Sequence, residues 1–233
     1  MDLIQQYENL LLKSVLLSGV AKEDLRDVLL YLSAEIKNLE KNEVIVGIGE
    51  EIKPGIILQG HSKVFVYDED MNYIVAREVP SGMFFGLSSA CLNGIKSEVD
   101  WKATTPVTLL NINISPFINY SIGNEVPHFH QIICHNIMMR LAEDANSNFF
   151  HLRVIGQQKI RNRLKTYLSS LYEKDKSLIT IPFSMSDLSL FLGTDRSILY
   201  KEINALKREG ILDWNGRNVR ILDHSFLMSE EGF

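Results

Sequence analysis

The sequence contains few cysteines and no long uninterrupted apolar stretch. Only Cys91 and Cys134 occur in 233 residues, which is too few for a disulfide framework or for a four-thiolate cluster held by one chain. No apolar run approaches the roughly 18 residues that a membrane-spanning helix needs. The N-terminus carries Asp2 and Glu8 where a signal peptide would be basic. We therefore expect a reduced, cytoplasmic location and no contact with a membrane.

Motifs of catalytic sites are also missing from the sequence. It has no phosphate-cradling glycine loop, no metal-ligand spacing and no nucleophile placed beside a base. His128, His130 and His135 come closest to a metal cluster, but helical residues two positions apart point in different directions. His61 follows a turn glycine and is expected to face solvent. We therefore expect neither an enzyme nor a bound metal or resident cofactor.

The net charge of −5 is distributed unevenly along the chain. Residues 1–155 hold 12 Lys or Arg against 19 Asp or Glu, which gives −7. Residues 156–220 hold 12 against 7, which gives +5. An excess of positive charge is what binding to phosphates requires, so a nucleic-acid partner is expected only at the C-terminal part.

Residues 184–210 have the pattern of two short helices joined by a tight turn. Ser184 or Ser186 can cap the first helix, and Gly193 supplies a backbone able to turn sharply. Asp195 stands at the expected N-cap of the second helix, which Gly210 ends. The predicted buried row of that helix consists of Ile198, Leu199, Ile203 and Leu206.

The polar residues at the start of the second helix distinguish two interpretations of this helix pair, one as a DNA-binding motif and one as a hairpin that only packs. Arg196, Ser197 and Lys201 are expected at its exposed N-terminal end. A helix in the major groove presents its first turns to base edges, where arginine can bind guanine. The alternative is the solvated face of an ordinary helical hairpin.

Two apolar runs follow, residues 211–214 and 219–222, and Asn215-Gly216 between them is a strong hairpin signal. Two helices followed by such a hairpin predict a winged helix-turn-helix. Upstream, residues 158–172 read as a helix and residues 178–183 as a strand. The outward Lys159, Arg161, Arg163 and Lys165 could contact phosphates or form a solvated face.

In the N-terminal part, the pattern of apolar residues changes from one typical of helices to one typical of strands. Residues 3–17 and 22–32 have helical spacing of apolar residues. Short apolar runs separated by turn glycines then follow, at residues 44–46, 56–58, 64–67, 73–76 and 107–110. Strands of this length and spacing predict an antiparallel barrel or sandwich.

Residues 126–151 return to helical periodicity with two apolar faces. One is an i,i+4 ridge of Phe129, Ile133, Ile137, Leu141, Ala145 and Phe149. The other follows coiled-coil spacing, and its members are the predicted dimer interface: Ile132, His135, Met139, Ala142, Asn146 and Phe149. A parallel homodimer through this helix would place two reading helices on adjacent half-sites. The alternative is a single buried helix in a monomer.

In this order the elements resemble the cyclic-AMP receptor protein/FNR superfamily of bacterial transcription regulators over essentially the whole chain. The resemblance rests on residues 16–20, 49–51, 57–60 and 82–86 and on the second helix from Gly193 to Lys201. It implies an α+β fold with three parts. These are an N-terminal double-stranded β-helix (jelly-roll-like) effector domain at 1–125, a dimerisation helix and hinge at 126–155, and a C-terminal winged helix-turn-helix at 156–233.

The resemblance also implies which residues touch DNA. Arg196, Ser197 and Lys201 match positions that contact base edges in the family, and Thr194 and Tyr200 complete the DNA-binding candidates. Lys201 replaces a commoner arginine and Ser197 a common glutamate. The usual operator of the family is therefore not expected.

The barrel departs from the members that bind cyclic AMP. Their phosphate cassette has Gly-Glu and, about ten residues later, Arg-Ser, whereas here Gly86 precedes Leu87 and the later stretch is Ser97 to Ala103. Glu98 and Asp100 in that stretch would oppose an anion. We therefore expect an uncharged or aromatic effector, in a pocket lined by Met83, Phe85, Leu87, Trp101, Phe129 and Ile133. The alternative is that these residues simply fill the core.

Together these features predict a homodimeric, sequence-specific transcription regulator whose barrel senses a small molecule other than cyclic AMP. Its expected partners are double-stranded DNA with an inverted-repeat operator and RNA polymerase. One alternative is a constitutive regulator with a filled barrel. Another is a ligand-binding or interaction module whose helix-turn-helix only packs. Cys91 and Cys134 could be thiol sensors or simply buried cysteines.

Overall fold

In a computed structural model, the described residues are 3–67, 73–92, 95–118, 125–173 and 178–228. The chain divides into two compact units, residues 1–144 and 145–233. Helices and antiparallel sheets both occur, which confirms the predicted α+β class. Within the described ranges, no helix is both long enough and apolar enough to cross a membrane.

The first unit begins with short helices. Helix α1 spans Leu3–Leu12, a 3-10 turn spans Lys22–Asp24, and α2 spans Leu25–Tyr31. The prediction that the first helix reaches residue 17 was wrong. The Ser14 hydroxyl donates to the Leu11 carbonyl oxygen at 2.6 Å, and such a side-chain bond competes with helix continuation.

Two four-stranded antiparallel sheets follow, as the spacing of apolar runs predicts. The strands are β1 Glu35–Leu39, β2 Val44–Val46, β3 Gly55–Gln59, β4 His61–Tyr67, β5 Tyr73–Pro80, β6 Phe84–Phe85, β7 Asp100–Ala103 and β8 Val107–Asn111. One sheet has the strand order β1-β8-β3-β6 and the other β2-β7-β4-β5. A short helix α3, Leu87–Cys91, lies between β6 and β7, and a second, α4, Ser115–Ile118, follows β8.

The sheet that contains β3 is buried on both faces. Ile56 and Leu58 pack in one core cluster with the N-terminal helices, while Ile57 between them packs in a second cluster. Side chains alternate between the faces of a strand, so burial on both sides produces a continuous apolar run. The second cluster, which we call the inter-sheet core, contains Leu39, Ile45, Val46, Ile57, Val79, Trp101, Ala103, Val107 and Leu109.

The long helix α5 spans His130–Ile155, four residues later than predicted at each end. In the first unit, Phe129, Ile133 and Ile137 are buried, as the predicted ridge requires. Further along the chain, Ala145 and Phe149 are exposed, so the predicted ridge does not extend to them.

The second unit contains a three-stranded antiparallel sheet in which β11 (Asn218–Ile221) lies between β10 (Leu212–Asn215) and β9 (Leu178–Thr180). Apolar rows of its three helices and its strands form a single core cluster. Its elements are α6 Ile160–Leu171, β9 Leu178–Thr180, α7 Met185–Phe191, α8 Arg196–Arg208, β10 Leu212–Asn215 and β11 Asn218–Ile221, followed by a 3-10 turn, His224–Phe226. This succession of helix, helix and hairpin is the winged arrangement predicted.

Candidate nucleic-acid interface

Helix α7 begins with a side-chain cap. The Ser184 hydroxyl oxygen accepts from the Asp187 backbone N–H at 3.2 Å, and the hydroxyl donates to Asp187 Oδ2 at 2.6 Å. Ser184 is therefore the cap, and the alternative Ser186 lies inside the helix. Leu188, fully buried on the inner face, anchors α7 to the core.

Arginine 163 of α6 holds the turn between α7 and α8. Its Nη1 donates to the carbonyl oxygens of Leu192 and Gly193 at 2.8 and 2.9 Å, and its Nε donates to the Gln157 carbonyl at 2.8 Å. These bonds bring a cation to the negative end of α7, where helix carbonyls lack partners. Gly193 has φ +59, and a Cβ there would lie 3.3 Å from Arg163 Nη1. Arg163 thus organises the turn from within the unit.

Arginine 161 fixes α8 against α6. Its Nε donates to Glu202 Oε1 at 2.6 Å, and its two Nη atoms donate to the Glu209 carboxylate at 2.8 and 2.7 Å. These bonds raise the pKa of Arg161 and lower that of the Glu209 carboxyl. Two carboxylates bind the guanidinium, so Arg161 holds α8 in position. A phosphate would have to compete with both carboxylates for this side chain.

The inner face of α8 is narrower than predicted. Leu199, Ile203 and Leu206 are buried, but Ile198 is 43% exposed, so its predicted burial was wrong. Ile198 precedes Leu199 by one residue and so lies about 100° around the helix from it. Asp195 has extended N-cap dihedrals, yet its side chain makes no cap hydrogen bond.

The structure brings the predicted DNA-binding residues together at the start of α8. Arg196, Ser197, Tyr200 and Lys201 are exposed, and Thr194 is half-buried just before them. Residues at spacings of i, i+1, i+4 and i+5 share one face of a helix. Sequence reasoning missed the exposed Ile198, which adds an apolar side chain beside this polar face.

The wing is the hairpin of β10 and β11, and its turn lies one residue later than predicted. Asn215 pairs with Asn218, so Gly216 and Arg217 form the turn. Gly216 has φ +59, and a glycine with positive φ at the first central position suits a type II′ hairpin turn. Trp214 Nε1 donates to the Gly216 carbonyl at 2.9 Å. Arg217 is therefore presented at the exposed tip.

Arg220, on β11, is a second exposed basic residue of the wing. Neither wing arginine was among the sequence candidates, although the excess of basic residues after position 155 was a signal for them. Lys207 Nζ donates to the Trp214 carbonyl at 3.1 Å and so connects α8 to β10. The wing and α8 are thus linked by hydrogen bonding as well as by packing.

The predicted effector-pocket residues lie on two sides of one sheet. Met83, Phe85 and Trp101 pack in or against the inter-sheet core. The other three pack in the cluster with the N-terminal helices, and they are Leu87, Phe129 and Ile133. The six residues therefore belong to two core clusters, and their role as the lining of one effector pocket stays a prediction. Hydrophobicity alone does not tell which side of a doubly buried sheet a residue faces.

The stretch that replaces the phosphate cassette is engaged internally. Leu87 is buried, 4% exposed, at the start of α3. Asp100 accepts hydrogen bonds from the Tyr67 hydroxyl at 2.8 Å and the Ile48 N–H at 3.2 Å, and it pairs with Lys102 at 3.0 Å. The Tyr67 bond and then the Lys102 bond lower the pKa of Asp100. Lys102 is therefore committed to a carboxylate.

The cysteines and histidines show no metal-binding arrangement. Among the described residues there is no group of three or more His, Cys, Asp or Glu placed to hold a metal. His128 Nε2 lies 2.7 Å from Asp24 Oδ2. Burial raises the pKa of the half-buried Cys91 and Cys134 thiols, which lowers their thiolate fraction and reactivity.

The predicted dimer residues of α5 are all exposed in the single chain. Ile132 is 36% exposed, Met139 48% and Phe149 62%. The polar and small members are exposed as well, namely His135, Ala142 and Asn146. Sequence reasoning missed Met138 and Leu152, each 62% exposed.

Comparison with known proteins agrees with this geometry. Residues 162–229 match the Crp-like helix-turn-helix domain family. No curated protein matches the chain significantly in sequence.

Several solved structures share the fold at low identity. The Thermus thermophilus catabolite activator protein has a TM-score of 0.52 and 19% identity, over 92% of this chain and 96% of that one. The c-di-GMP-responsive regulator CLP of Xanthomonas campestris has a TM-score of 0.56 and 15% identity, over 86% and 100%. CprK complexed with OCPA has a TM-score of 0.59 and 17% identity, over 88% and 92%. The chain thus carries a Crp-like helix-turn-helix domain and has the fold of CRP/FNR-type DNA-binding transcription regulators.

Proposed function

We propose that the chain is a homodimeric transcription regulator that reads a specific DNA sequence and responds to a small molecule other than cyclic AMP. The observation that carries the proposal is the face formed by Arg196, Ser197, Tyr200 and Lys201, all exposed at the N-terminal end of α8. In this proposal residues 1–125 are the sensor, 126–155 the dimerisation helix and 156–233 the DNA-binding domain.

The chemistry of the face suits base edges in the major groove. An arginine can donate to both the O6 and N7 acceptors of guanine, and serine and lysine can contact bases or phosphates. The exposed Ile198 offers an apolar contact of the kind that distinguishes thymine by its methyl group. Arg217 and Arg220 of the wing carry positive charge suited to the backbone, which positions a protein without reading sequence.

The exposed side of α5 supports a homodimer. Its apolar residues, three large and two small, follow one another at alternating spacings of four and three, in the order Met138, Ala142, Ala145, Phe149 and Leu152. All five are exposed in the single chain, and this spacing is that of a coiled-coil seam. A twofold dimer would bind an inverted repeat with half-site centres about 10.5 base pairs apart.

The barrel chemistry argues for an effector other than a cyclic nucleotide. A buried Leu87 stands where the resemblance implies a carboxylate, and Lys102 is paired with Asp100. Proteins of the same fold include one named as c-di-GMP responsive and one complexed with OCPA. We propose that effector binding changes the DNA affinity of a cytoplasmic regulator, and that the regulator contacts RNA polymerase or blocks it.

The test is selection of binding sequences from random duplex DNA by the purified chain and by two variants. The wild type is expected to enrich an inverted repeat. Arg196→Ala should relax preference at one base pair of each half-site by about 1–3 kcal/mol. Arg208→Ala, an exposed control at the other end of α8, should keep the preference. Absence of enrichment under all conditions, including added metabolite extract, or an unchanged preference in Arg196→Ala, would contradict the proposal.

Effector class is tested separately by thermal unfolding. Cyclic AMP at millimolar concentration should leave the melting temperature unchanged, because a ligand stabilises only the state that binds it. A rise of several degrees would show that the barrel accepts the nucleotide despite the altered cassette.

A further inference from the structure

Two open cavities lie side by side on the first unit. Their volumes are about 520 and 660 Å³, and they share Glu35, Glu51, Lys53 and Asn111 in their linings. The smaller one is also lined by Lys37 and Glu50 and, on its apolar side, by Ile45, Val46, Phe85 and Leu109. A cavity of this size falls in the range of small-molecule sites.

The smaller cavity lies where the inward rows of two strands change from apolar to charged or polar. On β1, Glu35 and Lys37 share a face with Leu39, which is in the inter-sheet core. On β8, Asn111 shares a face with Leu109, also in that core. Because Glu35 pairs with Asn111 across the strands, the charged end of the β1 row and the polar end of the β8 row meet at the same end of the barrel.

An aromatic wall closes the apolar side. Gly55 pairs with Phe85, and a Cβ at Gly55 would lie 2.8 Å from Phe85 Cζ. The missing side chain leaves room for the Phe85 ring. Trp101 contacts that ring edge-on, with centroids 4.3 Å apart, and Trp101 Nε1 donates to Ser62 Oγ at 2.8 Å. Phe85 is thus held in place from behind.

The charges around the cavity are available. Across the described part of the chain, none of Glu35, Lys37, Glu51 and Lys53 makes a side-chain hydrogen bond or ion pair. Glu50 differs, because it accepts from the Gly47 N–H at 2.8 Å. Three carboxylates, one of them bonded to the Gly47 N–H, and two ammonium groups therefore surround one apolar recess. A ligand of a single charge sign would face at least two groups of the same sign.

We infer that this cavity binds a zwitterionic small molecule of the α-amino acid class with an apolar side chain. Lys37 and Lys53 would receive the carboxylate, Glu35 and Glu51 the ammonium group, and Phe85 the side chain. The ligand's effector role rests on the proposed function, whereas binding itself does not require DNA recognition.

The experiment is titration calorimetry of the full chain with three related probes. L-Phenylalanine carries both charges, 3-phenylpropionate lacks the ammonium group, and 2-phenylethylamine lacks the carboxylate. L-Phenylalanine should bind at least about tenfold more tightly than either analogue, because each analogue leaves one pair of charges without a partner. L-Leucine serves as a second zwitterion with a smaller side chain. No saturable heat with either amino acid, or equal affinity for all three phenyl probes, would overturn the inference.

Two variants test which residues bind the ammonium group of the ligand and which bind its carboxylate. Glu51→Gln should weaken the binding of L-phenylalanine and leave the affinity for 3-phenylpropionate unchanged. Lys53→Met should also weaken the binding of L-phenylalanine but leave the affinity for 2-phenylethylamine unchanged. Lys13→Met, an exposed residue outside both linings, is the control and should bind as the wild type does. Uniform loss with all probes in a variant with unchanged melting temperature would contradict the assignment.

The effector role has its own readout. L-Phenylalanine should change the affinity of the full chain for its selected DNA site at least about fivefold, a coupling at the low end of typical allosteric effects. If L-phenylalanine binds without changing the DNA affinity, the proposed effector role is refuted, but the binding site itself is still supported. Failure of the DNA selection would instead refute the reading helix, and the calorimetric result would stand independently.

Discussion

The guanidinium of Arg196 lies over the ring of Tyr200, one helical turn later, with its central carbon 5.4 Å from the ring centroid. Its Nη2 also donates to the Tyr200 hydroxyl at 3.4 Å. Both side chains are exposed, so the contact costs little desolvation and restricts the arginine before DNA arrives. Tyr200 is thus a positioning residue for the proposed guanine contact.

Replacing the ring should therefore change base preference. Tyr200→Leu should lower the preference at the base pair read by Arg196 roughly two- to fivefold, the equivalent of an exposed cation–π contact. Tyr200→Phe keeps the ring and should retain most of the preference. Competitive binding to duplexes differing at that base pair measures both. Equal losses in the two variants would assign the effect to the hydroxyl instead.

The turn before α8 should be sensitive to an added methyl group. Gly193 and Gly210 both have positive φ, +59 and +72, but only at Gly193 would an added Cβ meet neighbours within 4 Å, the nearest being Arg163 Nη1. Gly210→Ala should cost about 1–2 kcal/mol from left-handed backbone strain. Gly193→Ala should cost more, since it also displaces the guanidinium. Hydrogen exchange of α8 amides gives the comparison, and equal costs would show that Arg163 adapts freely.

Acid should loosen α8 through Glu209. The hydrogen bond from Arg161 lowers the pKa of this carboxyl below its ordinary value of 4.5. A depressed folded-state pKa contributes stability above the unfolded value, and the contribution disappears as pH falls from about 4.5 through the folded pKa. Protection of α8 amides should therefore decline more in the wild type than in Glu209→Gln over that range. Parallel declines would show that the pair adds no pH-dependent stability.

Dimerisation should depend on Phe149. Phe149→Glu places a charge in the proposed seam and should give a monomer in sedimentation, while the fold survives because the residue is 62% exposed. Ser147→Glu adds the same charge at another exposed position of α5 that lies off the seam spacing. It should leave the dimer intact. A dimeric Phe149→Glu protein would move the interface away from this row.

Local pattern was sufficient to predict much of this fold. The apolar run Ile56-Ile57-Leu58 and the glycine between two short amphipathic segments at Gly193 are local signals, and both indicated the correct elements. Strand β1 was missed because its inward row carries Glu35 and Lys37. Those charges remove the alternation by which a half-buried strand is recognised.

The site was less predictable where it depends on contacts distant in sequence. Arg161 and Arg163 look alike on α6, yet one binds two carboxylates, Glu202 and Glu209, and the other binds carbonyls of the turn. The sequence left open whether these arginines contact phosphates or form a solvated face. Their actual roles depend on where the carboxylates and carbonyls lie in the fold. Similarly, Phe85 and Leu87 are close in the chain but belong to different core clusters.

The pairing of β1 with β8 has a consequence for synthesis of the chain. Asn38 and Thr108, opposite each other in this pair, are 70 positions apart in sequence. The long intervening loop must close before that pair forms, and such closure slows folding. Strand β8 also joins β1 to β3. A ribosome-bound chain that has not yet exposed β8 therefore leaves β1 without a neighbour, and the first unit should become protease-resistant only after residue 111 has left the exit tunnel.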